Sequence, residues 1–210
     1  MEPAQLDAFL ALGWFRMHQT IFTTESLNTG DKVLPVVWLR VRLPEFEAGR
    51  TYRSIKNRNG HLRTEIQRGD ISQEHVALYD IYKKERPFEI APSLEWLLFG
   101  NSYRDIYNTY MVNVFDHKKM IGAGFFDLGH HSAAGITSFF DPSYKKHSIG
   151  KFMIYEKMRY CQTEKFKFFY PGYFVPGYSR FDYKLEIGKS AIECFNKETQ
   201  AWVPLKDWEL

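Results

Sequence analysis

Cysteine is almost missing from this chain: Cys161 and Cys194 stand far apart, outside any CxxC spacing. That excludes a disulfide framework and a zinc quartet, and two unpatterned thiols predict a reducing compartment. Neither thiol lies in a motif that would activate it. Long apolar runs are missing too; nothing approaches the ~18 residues of a membrane span. The first residues do not read as a secretory signal, because Glu2 and Asp7 are acidic and the apolar run from Ala8 to Trp14 is short. A cytoplasmic protein without a membrane partner is expected. Charge of one sign is scarce, and a net +3 does not by itself declare a nucleic-acid binder. No Gly-x-Ser-x-Gly elbow presents a serine nucleophile. Gly122-Ala123-Gly124 lies mid-strand with no further glycine at phosphate-loop spacing. His130 and His131 are adjacent, so they point apart and make a poor metal pair; no metal is expected. There is no internal repeat and no low-complexity linker.

What the chain does have is rings. Thirteen Tyr, eighteen Phe and five Trp occur in 210 residues, more than a core of this size needs, and tyrosine also suits a cleft with stacking surfaces and hydroxyl donors. Basic residues are concentrated rather than abundant. Arg50 to Arg63 contains five of them (Arg50, Arg53, Lys56, Arg58, Arg63) plus His61 and no acid, and Lys145, Lys146, His147 and Lys151 form a second cluster. Each is either a solvated face or a phosphate-binding surface.

The period of the sequence outlines an α+β protein. Residues 14–17, 20–24 and 34–43 read as strands, with Leu27 to Lys32 supplying a turn. Asn57 to Gly60 reads as a turn within the first basic cluster. Ser72 opens a helix to about Lys84, which Pro87 ends. Ser93 begins a short helix, Leu94 to Phe99, stopped by Gly100. Then come strands at 107–115, 120–128 and 132–140, an antiparallel meander whose first hairpin turns at Asp116 to Lys119. Asp141-Pro142 breaks the last of them. Ser148 caps a helix from Ile149 to about Thr163, apolar around most of its circumference and so packed on the sheet. The strand at 166–173 is then parallel to the one at 132–140. Pro171 has no N–H to donate, so the ladder should open at or just before it. This order follows the GNAT acyltransferase plan, in which two neighbouring parallel strands part to form a cleft. Residues 1–70 are expected to be a β-rich segment packed on that domain, with 71–210 the domain itself.

Five short motifs sharpen the analogy: Phe139-Phe140-Asp141-Pro142, Ser148-Ile149-Gly150, Phe169 to Tyr173, Phe181-Asp182-Tyr183-Lys184, and Trp202-Val203-Pro204. In this order and spacing the chain resembles the C-terminal part of the arginyl-tRNA–protein transferases and the bacterial relatives that transfer leucine to acidic N-termini. Ile149 and Pro171 are mild departures, and the resemblance covers about 107–204. It implies a GNAT-like enzyme without coenzyme A or another cofactor, moving arginine or leucine from charged tRNA to the N-terminal amine of an acceptor protein, as in N-end rule tagging. Family members typically begin with a Cys-containing segment including a close Cys pair, and no Cys precedes Cys161 here. Whatever that segment does, this chain does otherwise; Trp14-Phe15-Arg16-Met17 replaces it structurally. Two other readings stay open: a coenzyme A-dependent N-acyltransferase, and a catalytically silent relative that binds RNA or protein. Against the first, the stretch Lys145 to Gly150 has one glycine where a pyrophosphate loop needs more.

The implied reaction is aminolysis of an ester. An α-amine with a pKa near 7.7–8.0 is partly neutral at cytoplasmic pH, so orientation and oxyanion donors suffice and no metal is needed. Asp141, Tyr170 and Tyr173 are the catalytic candidates. Tyr170 and Tyr173 stand on either side of Gly172 and stack on the terminal adenine or donate to substrate, or else they are core rings. Asp141 holds the α-ammonium or relays a proton, or belongs to ordinary Asp-Pro turn chemistry. Phe139, Ser148, Gly150, Gly172, Tyr183 and Lys184 are the substrate-binding candidates. Ser148 and Gly150 offer helix N-terminal N–H groups to an anion, though capping alone explains the serine. Gly172 allows close backbone approach or simply makes a turn. Lys184 pairs with an acidic acceptor or a phosphate, or is solvated. Lys145, Lys146, Lys151, Arg53, Lys56 and Arg58 are assigned to tRNA phosphate.

Overall fold

The computed structural model describes residues 1–86, 90–102 and 104–208. In chain order the helices are α1 (Pro3–Ala11), α2 (Arg50–Arg58), α3 (Gln73–Lys84), α4 (Leu94–Phe99) and α5 (Ile149–Thr163). The strands are β1 (Phe15–Met17), β2 (Thr20–Phe22), β3 (Ser26–Asn28), β4 (Val33–Pro35), β5 (Val37–Arg42) and β6 (Arg63–Arg68), then β7 (Thr109–Asp116), β8 (Lys119–Leu128), β9 (Ser132–Phe140), β10 (Phe168–Phe174), β11 (Ile192–Asn196) and β12 (Ala201–Pro204). The fold is α+β, with one eight-stranded sheet in the order β12-β11-β5-β10-β9-β8-β7-β6 and the small hairpins β1–β2 and β3–β4 beside it.

The expected meander is present as β7–β8–β9, and its first turn is tight enough to hold His117 at a φ of 52°. Alternation along β8 sends Ala123 and Phe125 into a cluster with Leu78 and Tyr79 of α3, and Gly122 and Gly124 toward Ile149 and Lys157 of α5. The two helices therefore cover opposite faces of the sheet. Helix α5 has the bounds its periodicity predicts, burying Phe152, Met153, Met158 and Cys161, each apolar side chain worth roughly 1.5–3 kcal/mol of transfer free energy. Ser72 and Ser93 cap α3 and α4: His75 Nδ1 accepts from the Ser72 backbone N–H at 3.1 Å, and Ser93 Oγ accepts from the Trp96 N–H at 3.1 Å. Gly100 closes α4 at a φ of 58°. The expected stop at Pro87 lies outside the described residues.

Three features depart from the sequence expectations. The chain opens with α1, whose Asp7 carboxylate accepts from the backbone N–H groups of His130, His131 and Ser132 at 2.8–3.1 Å and so pins the helix to the β8–β9 turn. The basic stretch is mainly a helix, α2, and the turn follows at Asn59 to His61; seven of the helix's nine residues are polar, which hides the period, while Ile55 alone is buried in it. Strand β5 lies in the middle of the sheet, between β10 and β11. No described helix is long and apolar enough to cross a membrane.

Between β9 and β10 the parallel ladder runs only from Phe168 opposite Ser132 to Tyr170 opposite Ala134. It stops one residue before Pro171. On its other side β10 shifts register against β5 between Phe169 and Gly172, and Gly172 takes a φ of 92°. A missing donor and a left-handed kink at adjacent positions part the strands here.

A cleft between parted strands as candidate active site

The parting leaves two cavities, one on each side of the gap. The larger, of about 430 Å³, is lined by Gly135, Ile136, Thr137, Ser138 and Phe140 of β9, Phe169 and Pro171 of β10, and Tyr82 and Arg86 at the end of α3. The first turns of α5 (Gly150, Lys151, Ile154, Lys157), together with Ser148, Tyr183 and Lys184, close it. The smaller, of about 200 Å³, is walled by the rings of Phe15, Phe22, Trp38, Tyr173 and Phe181, with Arg16, Ala134 and Gly172. Gly135, Ile136, Pro171 and Lys184 border both. No carboxylate appears among the described residues lining either cavity, although four cations do: Arg86, Lys151, Lys157 and Lys184 in the larger one.

Two of these cations are buried lysines. Lys157 Nζ donates to Phe125 O and Thr137 O at 3.1 Å and to Ser138 Oγ at 3.0 Å, which saturates its three N–H groups. Lys184 Nζ donates to Tyr173 O at 2.8 Å and otherwise faces rings, Phe181 at 5.0 Å and Tyr173 at 5.3 Å. Burial without a carboxylate pushes both ammonium groups down to about 7; for Lys184 the nearby Arg180 adds to the effect. Each lysine sits over a glycine. A Cβ on Gly124 would lie 2.8 Å from Lys157 Nζ, and one on Gly172 would lie 3.1 Å from Lys184 Nζ. Arg86 stacks its guanidinium 3.8 Å above the Tyr82 ring, and its Nε is buried with no hydrogen-bond partner among the described residues.

The residues singled out from sequence divide between the cleft and the core. Ser148, Gly150, Tyr183 and Lys184 line the larger cavity, and Gly172 and Tyr173 the smaller. Three belong elsewhere. Tyr170 is 1 % exposed, packed edge-on to Trp202 and Phe15, because alternation turns it away from the gap that Phe169 and Pro171 border. Phe139 is fully buried between Tyr79 and Phe125, and its neighbour Phe140 reaches the cavity instead. Asp141 ends β9 as a turn residue: it accepts from Ser143 N and Oγ and from Lys119 Nζ at 2.6–3.0 Å. Burial alone would raise its carboxyl, but those hydrogen bonds outweigh it and hold the group below its ordinary value. Asp141 is not among the residues that line either cavity. Ser148 does not cap α5 with its side chain; it takes the left-handed conformation (φ 54°, ψ 42°) that joins the preceding 3-10 turn to the helix.

The two basic clusters, far apart in sequence, meet. Arg58 Nη1 donates to Lys146 O at 2.7 Å and Asn59 Nδ2 to His147 O at 2.9 Å, so α2 abuts the loop leading into α5. Arg53, Lys56, Arg58, Lys145 and Lys146 are all exposed; none of them lines the larger cavity, and Lys145 and Lys146 lead into Ser148, which does. Lys151 is less available, being paired with Glu186. Lys157, Arg86 and Arg16 were not recognisable as cleft residues. A strand-interior glycine is a signal of close approach, and Gly124 was that signal for Lys157. Among the described residues no group of three or more His, Cys, Asp or Glu side chains could hold a metal ion.

A mixed sheet whose central parallel strands part over a cleft is the architecture of a GNAT-like acyltransferase. Solved structures agree with the fold at low identity: FemX superimposes with a TM-score of 0.52 at 12 % identity over 84 % of this chain, and the C-terminal domain of a protein described as a lysylphosphatidylglycerol synthetase from Agrobacterium fabrum with 0.50 at 13 % over 67 %. The chain spans 61 % and 48 % of those two chains. More specifically, residues 74–194 match the family model for the C terminus of arginine-tRNA-protein transferase, and the chain belongs to that transferase family. Among curated relatives, the aspartate/glutamate leucyltransferase of Campylobacter jejuni is 24 % identical over 89 % of this chain and 80 % of its own length. That of Leptospira interrogans is 24 % identical over 97 % and 80 %.

Proposed function

We propose that this chain moves an amino acid, leucine or arginine, from charged tRNA to the N-terminal amine of an acceptor protein. The observation that carries the reading is the cleft: two cavities meeting at parted strands, rich in cations and rings, with no carboxylate among the described lining residues. The larger is reached by the basic loop 145–147 through Ser148, a loop that Arg58 of α2 also contacts, and has the size of a small-molecule site. It takes the aminoacyl-adenosine end of the tRNA, with Ser148 and Gly150 near the sugar and phosphate and Tyr82, Phe140 or Tyr183 beneath the base. The smaller, ringed by aromatics, takes the acceptor's first residue, with Tyr173 and Gly172 as its walls. An acceptor that begins with an acidic side chain is in keeping with the names of the curated relatives. Attack by the amine then needs mainly orientation, which supplies about 7–11 kcal/mol in well-placed reactions. Phe139, Asp141 and Tyr170 act from behind, by holding β9 and β10 in place. Such a reaction belongs in the cytoplasm and serves N-end rule tagging, and the division of the sequence at residue 70 is kept as a proposal about sequence organisation.

The test is a transfer assay. The protein is incubated with tRNA charged with a labelled mixture of amino acids, together with peptides beginning with Asp or Ala. Transfer of one label, greater to the Asp peptide, is the expected result; if no label moves to either peptide, the reading fails.

A further inference from the structure

Aminolysis leaves a proton in the wrong place. When the amine nitrogen attacks the ester carbon, the C–N bond forms on a nitrogen that still carries its protons. One of them must leave before the amide is stable, and the ribose oxygen must gain one as the C–O bond breaks. A group that accepts the first and returns it to the second closes the cycle without any co-reactant. On the reading above, this group must border both cavities, because the amine and the ester approach from different sides.

Among the described lining residues there is no Asp, Glu or His to take that part. Asp141, beside Phe140, accepts from Ser143 and Lys119; Asp182, beside Tyr183, is exposed, and Glu186 is paired with Lys151. Lys157 is saturated by three acceptors, and Lys151 is paired with Glu186. Lys184 is different. It borders both cavities, makes one hydrogen bond, to Tyr173 O, and lies over Gly172, where any larger residue would crowd its Nζ. We propose that Lys184, as a neutral amine, is the catalytic base: its Nζ takes the proton from the attacking nitrogen and passes it to the departing ribose oxygen.

The surroundings favour the neutral form. The groups that face Lys184 are the phenols of Tyr173 and Tyr183, Arg180 on its own turn, Arg86 from α3, Arg16 from β1, and Lys151 and Lys157 from α5. Arg16 is paired with Asp127 and Lys151 with Glu186, so the positive charge acting on Lys184 is chiefly that of Arg180. Burial first, and after it the Arg180 charge, bring the ammonium down to about 7, so a large fraction is uncharged at neutral pH. The same positive environment disfavours an acceptor amine that enters protonated.

The experiment measures kcat and KM against pH for wild type, Lys184→Met and Lys184→Arg. It uses charged tRNA and two acceptors: an ordinary peptide, and one whose terminal amine is replaced by a hydrazide, which stays neutral throughout. The wild type with the hydrazide acceptor should still show a rate that rises with pH through about 7, an inflection that then belongs to the enzyme. Lys184→Met should lose that inflection and lower kcat for the amine peptide by about 10²-fold or more, with KM changed much less. Lys184→Arg, permanently charged, should not restore the rate. Retention of activity by the Arg variant would assign Lys184 a purely electrostatic part and overturn the base. So would a flat wild-type profile with the hydrazide, a measurement that needs no variant to fold. A wild-type enzyme that transfers nothing from any charged tRNA would instead defeat the functional reading itself.

Discussion

Lys157 is the clearest case of a residue whose meaning depends on its neighbours. On α5 it looks like one polar residue among several, with Lys151, Glu156, Arg159 and Gln162, yet it is 2 % exposed and reaches the sheet over Gly124. A lysine whose folded pKa lies near 7 and whose unfolded value lies near 10.4 is penalised while both states are protonated. The penalty lifts as the folded state releases its proton and the unfolded state keeps it, so stability rises with pH from about 7 upward. Lys184 contributes in the same direction. Above about pH 9 the buried thiols of Cys161 and Cys194 offset the rise, because burial pushes both up to about 12 and unfolding then releases their protons; the trend turns over only above about 10, where the unfolded lysines also deprotonate. Urea titrations should therefore give a wild-type unfolding free energy that climbs between pH 7 and about 9. In Lys157→Met the climb should be about half as steep, since one of two titrating lysines is gone. Equal slopes for the two proteins would mean that Lys157 does not titrate in this range.

At the scale of elements, α2 and the loop before α5 form one cationic surface only because Arg58 and Asn59 donate to the carbonyls of Lys146 and His147. If that surface carries the tRNA, affinity falls with salt as phosphate counterions are released. Reversing Lys145 and Lys146 to Glu should weaken tRNA binding and reduce the slope of log K against log salt by up to about 2, without changing the thermal melt, since both side chains are exposed. An unchanged slope in a filter-binding series would make this a solvated face. The elements themselves were legible where local chemistry decides them. The Ser72 and Ser93 caps, Gly100 at the end of α4, the alternation of β7 to β9 and the bounds of α5 are all short-range signals. Helix α2 was not, because a helix that buries only Ile55 has no apolar stripe to announce it.

For the whole molecule, the decisive strand is β5. It pairs with β10 from Phe168 to Phe174 and with β11 from Ile192 to Cys194, so it joins the cleft to the C-terminal hairpin. A fragment of residues 71–210 would leave both neighbours with open edges and would uncover the core residues that Leu39 and Val41 pack against. It should show no cooperative thermal transition by circular dichroism; a sharp melt would mean that the sheet closes without β5.

The sequence by itself determined the helices with caps, the meander, the break at Asp141-Pro142 and the opening of the ladder at Pro171, because each depends on a few adjacent residues: a cap, a period of two, a missing N–H. The family motifs, read in register, also indicated the cleft. Only the tertiary structure decided which motif residues face it. Phe139 and Tyr170 turn into the core while Phe140, Phe169 and Pro171 border the gap, and strand alternation near a bulge cannot be phased from sequence alone. Nor could local patterns show that Lys157 and Lys184 lie in one cleft with no carboxylate among its described lining residues, or that Arg58 meets Lys146, since these contacts join residues 20–90 positions apart and exist only after the sheet has closed.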